Sequence, residues 1–236
     1  MGMMRFACNI NIYNYVICMS NKHKTLHPIV GKTFFVGDLH GRHDVFIRAL
    51  VHKGFNHKID RVICVGDLID KGKQSYQCLS LLRRKWFFSV MGNHEEMLVD
   101  EYRTGYTQQA WFNELGDDQQ DNAIELILGH MPLSYTVKIE NGVQIGVVHA
   151  HPPINGWAVD WRSLKQQGVE NFLWKRVRHG VVPDQIIGVN ALVFGHNNVA
   201  RATKFGASLC IDTLIDSGSL TILEAGEVLN AMSSTS

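Results

Sequence analysis

The chain has 236 residues, 45% of them hydrophobic and 19% charged, and a net charge of +1. That length suits one domain with a sizeable core, and the near-neutral balance argues against a nucleic-acid or membrane surface. Five cysteines (Cys8, Cys18, Cys64, Cys78, Cys210) are scattered without CxxC spacing, so they read as reduced thiols of a cytoplasmic protein rather than a disulfide framework.

Met1 to Gly31 carries no motif. Its apolar part, Asn9–Met19, is too short and too polar to cross a membrane and lacks a signal-peptide cleavage site. Phe6 stands where a myristoylation motif needs Ser or Thr. Residues 1–31 are therefore set apart as an N-terminal extension, and residues 32–236 as a single catalytic domain. Met19-Ser20-Asn21-Lys22 makes a natural start. The residues before it are expected to be a non-native extension or an over-long gene assignment, the alternative being an extra strand at a sheet edge.

From Thr33 the pattern alternates. Thr33–Val36, Ile59–Val65 and Trp86–Val90 read as buried strands. His43–Lys53, Gln74–Arg84 and Asn93–Tyr102 have helical spacing of apolar residues. Short connections in this β-α-β-α-β run imply parallel pairing with right-handed crossovers. Gln108–Leu115 and Gln120–Leu128 read as two helices joined by Gly116-Asp117-Asp118, a helical cap without catalytic pattern. Leu133–Ile139 and Val143–Val148 form a hairpin across Asn141-Gly142. Glu170–Arg178 is predicted helical. Leu192–Phe194, Ser208–Asp212 and Leu220–Glu224 finish as strands. Parallel units first and antiparallel strands later predict a second sheet packed on the first.

The three leading strands end alike. Each apolar run meets a glycine, and metal-grade side chains follow at once: Gly37-Asp38-Leu39-His40-Gly41, Gly66-Asp67-Leu68-Ile69-Asp70-Lys71-Gly72 and Gly92-Asn93-His94-Glu95. Neighbouring strand ends would bring Asp38, His40, Asp67, Asn93 and His94 together, a carboxylate, imidazole and amide set that suits Mn, Fe or Zn. The bland alternative, turn residues after strands, explains one Asp but not the set.

In this order the motifs resemble the signature of the metallo-phosphoesterases of the phosphoprotein phosphatase type, most closely the lambda-like bacterial and phage branch of these calcineurin-like enzymes. The resemblance runs from about Thr33 to about Leu223. It implies an α/β fold (α+β by some schemes) with two packed mixed β-sheets flanked by helices and a dinuclear metal site at strand ends. It implies one divalent metal on Asp38, His40 and Asp67, and a second on Asn93, His149 and His196, with Asp67 bridging. Mn²⁺ is the expected metal, with Fe, Zn or Ni as alternatives. His94 would be the general acid and Asp70 its orienting partner. Arg176 would grip the substrate phosphate, with Lys71 and Asn93 as further substrate contacts. The implied partner is a phosphorylated protein or peptide, acted on by a monomer with no nucleic acid and no membrane involved.

The chain departs from that branch at several positions. Lys71 and Met91 stand where arginines are usual, His151 where Asp is, and Asn197-Asn198 where Thr-Pro is. A charge-assisted hydrogen bond is worth about 1.5–3 kcal/mol, so the phosphate grip is expected to be weaker, or compensated by Arg176 and another cation such as Lys73 or Arg42. His151 could pack in a loop or line the rim. Trp157 and Trp161 could line a substrate groove or pack in the core or at the rim. His23, His27, His43, His52, His57, His130 and His179 take the surface reading.

The leading function is a metal-dependent serine/threonine protein phosphatase, with phospho-Tyr as a further candidate. The alternative is a hydrolase of the same fold acting on a dinucleoside polyphosphate or other small phosphoester. A third reading is a degenerate fold that only binds phosphorylated partners.

Overall fold

Short runs of aromatic and β-branched residues build the first sheet. β2 (Thr33–Val36), β3 (Arg61–Cys64) and β4 (Phe87–Ser89) pair in parallel, and β10 (Ile222–Glu224) joins antiparallel to β2. The computed structural model describes residues 22–160, 164 and 166–233. The residues before Met19, and Trp161, lie outside this range. The second sheet has six strands in the order β1-β5-β6-β7-β9-β8. They are β1 (His23–Leu26), β5 (Ser134–Lys138), β6 (Gln144–Val148), β7 (Ala191–Phe194), β8 (Thr203–Phe205) and β9 (Ser208–Cys210). Both sheets are mixed: β1–β5, β6–β7 and β7–β9 run parallel, β5–β6 and β8–β9 antiparallel.

Alternation along the first sheet sorts its side chains into two cores. Phe34, Val36, Val62, Cys64 and Phe87 face the helices α1 (His43–His52), α2 (Ser75–Ser80), α3 (Asn93–Thr104) and α5 (Asp117–His130). Phe35, Ile63, Val65 and Val90 face the second sheet, meeting Tyr135, Val137, Val147, Val193 and Leu209. The outer face of the second sheet packs Phe194 and Cys210 against Trp157 and Phe172. Buried Arg61 ties the sheets at the far end, donating to Thr33 Oγ1 at 3.0 Å and to the Lys138 carbonyl at 3.0 Å.

Several elements differ from the sequence expectation. The helix expected over Gln74–Arg84 is α2 followed by a 3-10 turn, Leu81–Arg83. The one expected over Gln108–Leu115 shrinks to α4 (Ala110–Asn113). In α5, Gly116 is the N-cap and Asp117 and Asp118 lie in the first turn, where carboxylates suit the helix dipole. The helix expected over Glu170–Arg178 is α6 (Gln166–Leu173), which leaves Arg176 on the loop beyond it. The hairpin forms as expected, with Asn141 at φ 58° and Gly142 at φ 77°. α7 (Leu214–Ser217) and α8 (Ala225–Ser233) complete the described helices.

His23 takes a half-buried place on the edge strand β1 instead of a surface one. Its Nδ1 lies 2.8 Å from Ser134 Oγ and its Nε2 3.1 Å from Thr136 Oγ1. Thr136 Oγ1 already accepts from Trp157 Nε1 at 2.6 Å, so its own proton is free for the His23 Nε2 lone pair. Burial accordingly lowers the His23 pKa from 6.5 to about 4. Below pH 6.5 the unfolded chain binds a proton here that the folded chain does not, so stability falls as pH drops from 6.5 toward 4. We predict that His23→Gln loses less stability between pH 7 and pH 5 than the wild type does, measured by urea unfolding. Equal losses in the two proteins would refute the assignment.

Candidate metal centre

Three loops leave the carboxyl ends of β2, β3 and β4 and fold onto one another. The Leu39 and His40 N–H groups both donate to the Asp67 carbonyl, at 3.0 and 2.8 Å, and Gly41 N–H donates to Leu68 O at 2.8 Å. Glu95, in the first turn of α3, is wholly buried. Its carboxylate accepts from the backbone N–H groups of Asp67 (3.1 Å), Leu68 (2.7 Å), Ile69 (3.3 Å) and Gly92 (2.9 Å). Gly92 is required there, because a Cβ would overlap Asp67 Oδ1. From the second sheet, His149 follows β6, His196 follows β7 and Asp212 follows β9.

The histidines are held in fixed tautomers. His40 Nδ1 donates to Ile69 O at 3.1 Å, and His149 Nδ1 donates to Val65 O at 2.8 Å, leaving both Nε2 lone pairs facing inward. His196 Nε2 donates to Trp174 O at 2.9 Å, leaving Nδ1 inward. His149 Nε2 and His196 Nδ1 then lie 3.0 and 2.9 Å from Asn93 Oδ1. Three lone pairs aimed at one another are the chemistry of a cation site. Burial lowers the pKa of both His40 and His196 to about 4, so both present the neutral, ligating form.

Asp67 stands between two clusters. Its Oδ1 is 3.5 Å from His149 Nε2 and accepts from His94 N–H at 3.1 Å; its Oδ2 is 3.7 Å from His40 Nε2 and 3.9 Å from His94 Nε2. Two groups of ligand atoms result, His40–Asp67–His94 and Asp67–His149–His196. Asp38 lines the same pocket, but neither group includes it. Its Oδ2 accepts from His196 N–H at 3.2 Å, while its buried Oδ1 has no partner. Burial, reinforced by the Asp212 and Asp67 charges, holds the Asp38 pKa well above the usual range. The unsatisfied carboxylate oxygens of Asp38 and Asp212, the bridging Asp67 and the converging lone pairs all fit divalent cations.

His94 is set apart from the other histidines. Its Nδ1 lies 2.6 Å from Asp70 Oδ2. Burial opposes its charging, but the Asp70 hydrogen bond and the Asp67 and Asp70 charges outweigh that and raise its pKa. The pocket, about 310 Å³, also carries Lys71 and Arg176 on its wall. Lys71 Nζ lies 2.9 Å from His40 Nε2. The Arg176 loop is stapled twice. His196 holds Trp174 O, and the Asn197 amide accepts from Val177 N–H at 2.9 Å and donates to Val177 O at 2.8 Å.

The chain matches the calcineurin-like phosphoesterase family model over residues 31–217. It belongs to that family. The phosphoesterase is a metal-binding hydrolase with a dinuclear centre. It is 33% identical over 189 residues to serine/threonine-protein phosphatase 2 of Escherichia coli (strain K12), covering 75% of this chain and 85% of that protein. It is 40% identical over 69 residues to a symmetrical bis(5'-nucleosyl)-tetraphosphatase of Mannheimia succiniciproducens, covering 28% of this chain and 25% of that protein. In fold it is similar to a putative diadenosine tetraphosphatase, at TM-score 0.65 and 21% identity, over 87% of this chain and 94% of the other. A Saccharomyces cerevisiae serine/threonine phosphatase gives TM-score 0.58 at 17% identity, over 86% and 75%.

The structure places the residues that the sequence left open at the phosphoesterase's rim. Met91 does not face the pocket. It keeps the alternation of β4, buried beside Phe87 against the helices. His151 is buried, with Nδ1 2.8 Å from Pro152 O, and does not line the pocket; Trp157 is a core residue. Among the candidate compensating cations, Arg42 and Lys73 do not line the pocket either. Asn198, one of the positions that depart from the family motif, does line it, as do Asp212 and Trp174, which no motif singled out.

Two outcomes follow from these positions. Met91→Arg is expected to lower stability by about 3 kcal/mol or more, through a buried unpaired charge, instead of improving phosphate affinity. A rise in phosphate affinity at unchanged melting temperature would contradict this placement. Asn197→Ala is expected to weaken competitive inhibition by inorganic phosphate about tenfold, at unchanged metal content, because the Arg176 loop loses two hydrogen bonds. Unchanged inhibition would show that the staple does not set Arg176.

Proposed function

We propose that this phosphoesterase is a serine/threonine protein phosphatase of the bacterial and phage type, working with two Mn²⁺ ions. Asp38, His40, Asp67, Asn93, His149 and His196 would hold the ions, with Asp67 shared. Such a pair, when bound, supplies a water of lowered pKa and neutralises the phosphoryl oxygens. Arg176 and Lys71 bring positive charge to the pocket wall, where the phosphate would lie. A P–O bond forms to water as the ester P–O bond breaks with its electron pair on the leaving oxygen. The proton on His94 Nε2 passes to that oxygen, and Asp70 holds the imidazole through Nδ1.

The observation that carries this reading is the His94–Asp70 pair at the pocket. A Ser or Thr alkoxide is a poor leaving group, and general acid help is worth about 10²–10⁴-fold there. The anion leaving a phosphoanhydride has far less need of it. The match to serine/threonine-protein phosphatase 2, 33% identical over 189 residues, supports the same substrate class; the symmetrical tetraphosphatases match at 40% over 69 residues or at 24% over 156. A dinucleoside polyphosphatase is the second reading. Trp174, partly exposed at the pocket wall, offers a face on which a base could stack. Cys64, Cys78 and Cys210 are buried free thiols, in keeping with a cytoplasmic setting. No helix among the described residues is long and apolar enough to cross a membrane.

The test is turnover by metal-free protein reconstituted with Mn²⁺ on a phospho-Ser/Thr peptide, a phospho-Tyr peptide and diadenosine tetraphosphate. Peptide turnover is expected to require two metals per chain and to fall about 10²–10⁴-fold in His94→Asn. Turnover of the dinucleotide alone would move the substrate class to the second reading.

A further inference from the structure

The helical insertion between α3 and α5 carries no motif, yet it reaches the catalytic pair. Asp70 Oδ2 is taken by His94 Nδ1. Its other oxygen, Oδ1, accepts from Trp111 Nε1 at 2.7 Å; the Gln109 amide, assigned with its nitrogen toward Asp70 because the opposite orientation would set oxygen against oxygen, lies 2.7 Å from Oδ1 and 3.3 Å from Oδ2. Indole N–H can only donate, so Oδ1 is the acceptor in this contact. The donors stand on a braced support. Trp111 packs edge-on against Phe112 (5.6 Å between centroids), and buried Phe112 packs edge-on against Tyr102 (5.8 Å). Tyr102 lies on α3, the helix whose first turn carries His94.

Asp70 needs such support. It sits at φ 69° and is followed by Lys71 at φ 59°, two side-chain-bearing residues in the left-handed region. Its backbone N–H is held by Ser75 Oγ at 3.0 Å, but that contact does not set rotation of the carboxylate. Torsion about the bond to a carboxylate is broad, so one partner alone leaves it loose.

We propose that Trp111 and Gln109 are positioning residues for proton donation. By gripping Oδ1 they fix the rotation of the Asp70 carboxylate. Oδ2 then holds the Nδ1 proton of His94 and keeps Nε2 directed at the leaving oxygen. The inference rests on the reading of His94 as the proton donor.

A leaving-group series separates this role from a structural one. Trp111→Phe keeps an aromatic ring and removes the donor. With Mn²⁺-loaded protein, kcat/KM is measured for 4-nitrophenyl phosphate, phenyl phosphate and a phosphoserine peptide. The expected result is a loss of about tenfold on phenyl phosphate and the peptide, with the nitrophenyl ester within about twofold. In a His94→Asn background, Trp111→Phe is expected to cost nothing further on any ester. Gln109→Ala, which leaves the aromatic packing in place, carries the same test should Trp111→Phe fail to fold. If His94→Asn shows the leaving-group dependence while the Trp111 and Gln109 variants lose all esters equally or none, the positioning role is wrong and the acid role stands. If His94→Asn itself loses all esters equally, or the wild type turns over none of them, the acid reading falls and the inference falls with it.

Discussion

Four backbone N–H groups converge on the Glu95 carboxylate, three from the loop after β3 and one from the loop after β4. That convergence bends the chain where the site needs it. Asp67, Asp70 and Lys71 take φ of 48°, 69° and 59°, and His40 takes 42°. Left-handed conformations cost side-chain-bearing residues about 1–2 kcal/mol each. Burial and the Asp67 charge push the Glu95 pKa up to about 8 and the backbone donors oppose that shift; whichever form it takes, the four hydrogen bonds tie the strained loop to α3. The loop after β2 then hangs on the same loop through the Asp67 and Leu68 carbonyls. His196 at φ 64° and Asn198 at φ 44° repeat the pattern on the second sheet. Of the side-chain-bearing residues described at positive φ, Asn141 alone lies away from the pocket, in the hairpin turn. Strain gathered at a site in this way marks pre-organisation.

The electrostatics divide along the same lines. The imidazoles of His40 and His196 are buried and pushed toward neutrality, whereas His94, with Asp70 behind it, is pushed toward charge. One residue type thus presents lone pairs on one side of the pocket and, beside Asp70, a ring biased toward charge on the other. The sorting is done by what sits behind each ring: a backbone carbonyl behind His40, His149 and His196, and a carboxylate behind His94. Groups whose environments drive their pKa values apart are the ones that can divide ligand and acid roles.

What could be read from the sequence was local. A strand that ends in Gly-Asp or Gly-Asn fixes where its side chains emerge, whatever the rest of the chain does. The residues brought to the pocket by the first three strand ends were therefore visible in order. Partners set by tertiary distance were not. Asp212 lies 174 positions along the chain from Asp38, and both line the pocket. Trp111 looked like one more apolar residue of a cap. Glu95 was visible as a motif letter, but its four donors come from backbone, which has no sequence signature. The match of Met91 to a family arginine carried no information on its packing; the two-residue alternation of β4 puts it with Phe87 in the cluster on the helix face. The α6 boundary failed because Glu170–Arg178 is helical by pattern, while His196 and Asn197 draw the backbone from Trp174 to Val177 away from the helix.

The position of Arg176 shows how the two sheets share one task. A guanidinium on a helix face would be fixed by the helix. On a loop it is fixed only by whatever holds the loop, and here that is the pair His196–Asn197 at the end of β7. The same turn therefore turns a His196 lone pair toward the ligand cluster and, through Asn197, holds the loop that carries Arg176. Lys71 is tied in the same way to the loop after β3, one residue from Asp70, and Arg176 stands two residues from Trp174, whose carbonyl accepts from His196. A shift of either loop would move charge and ligand together, which keeps their separation constant while the strand ends carry both.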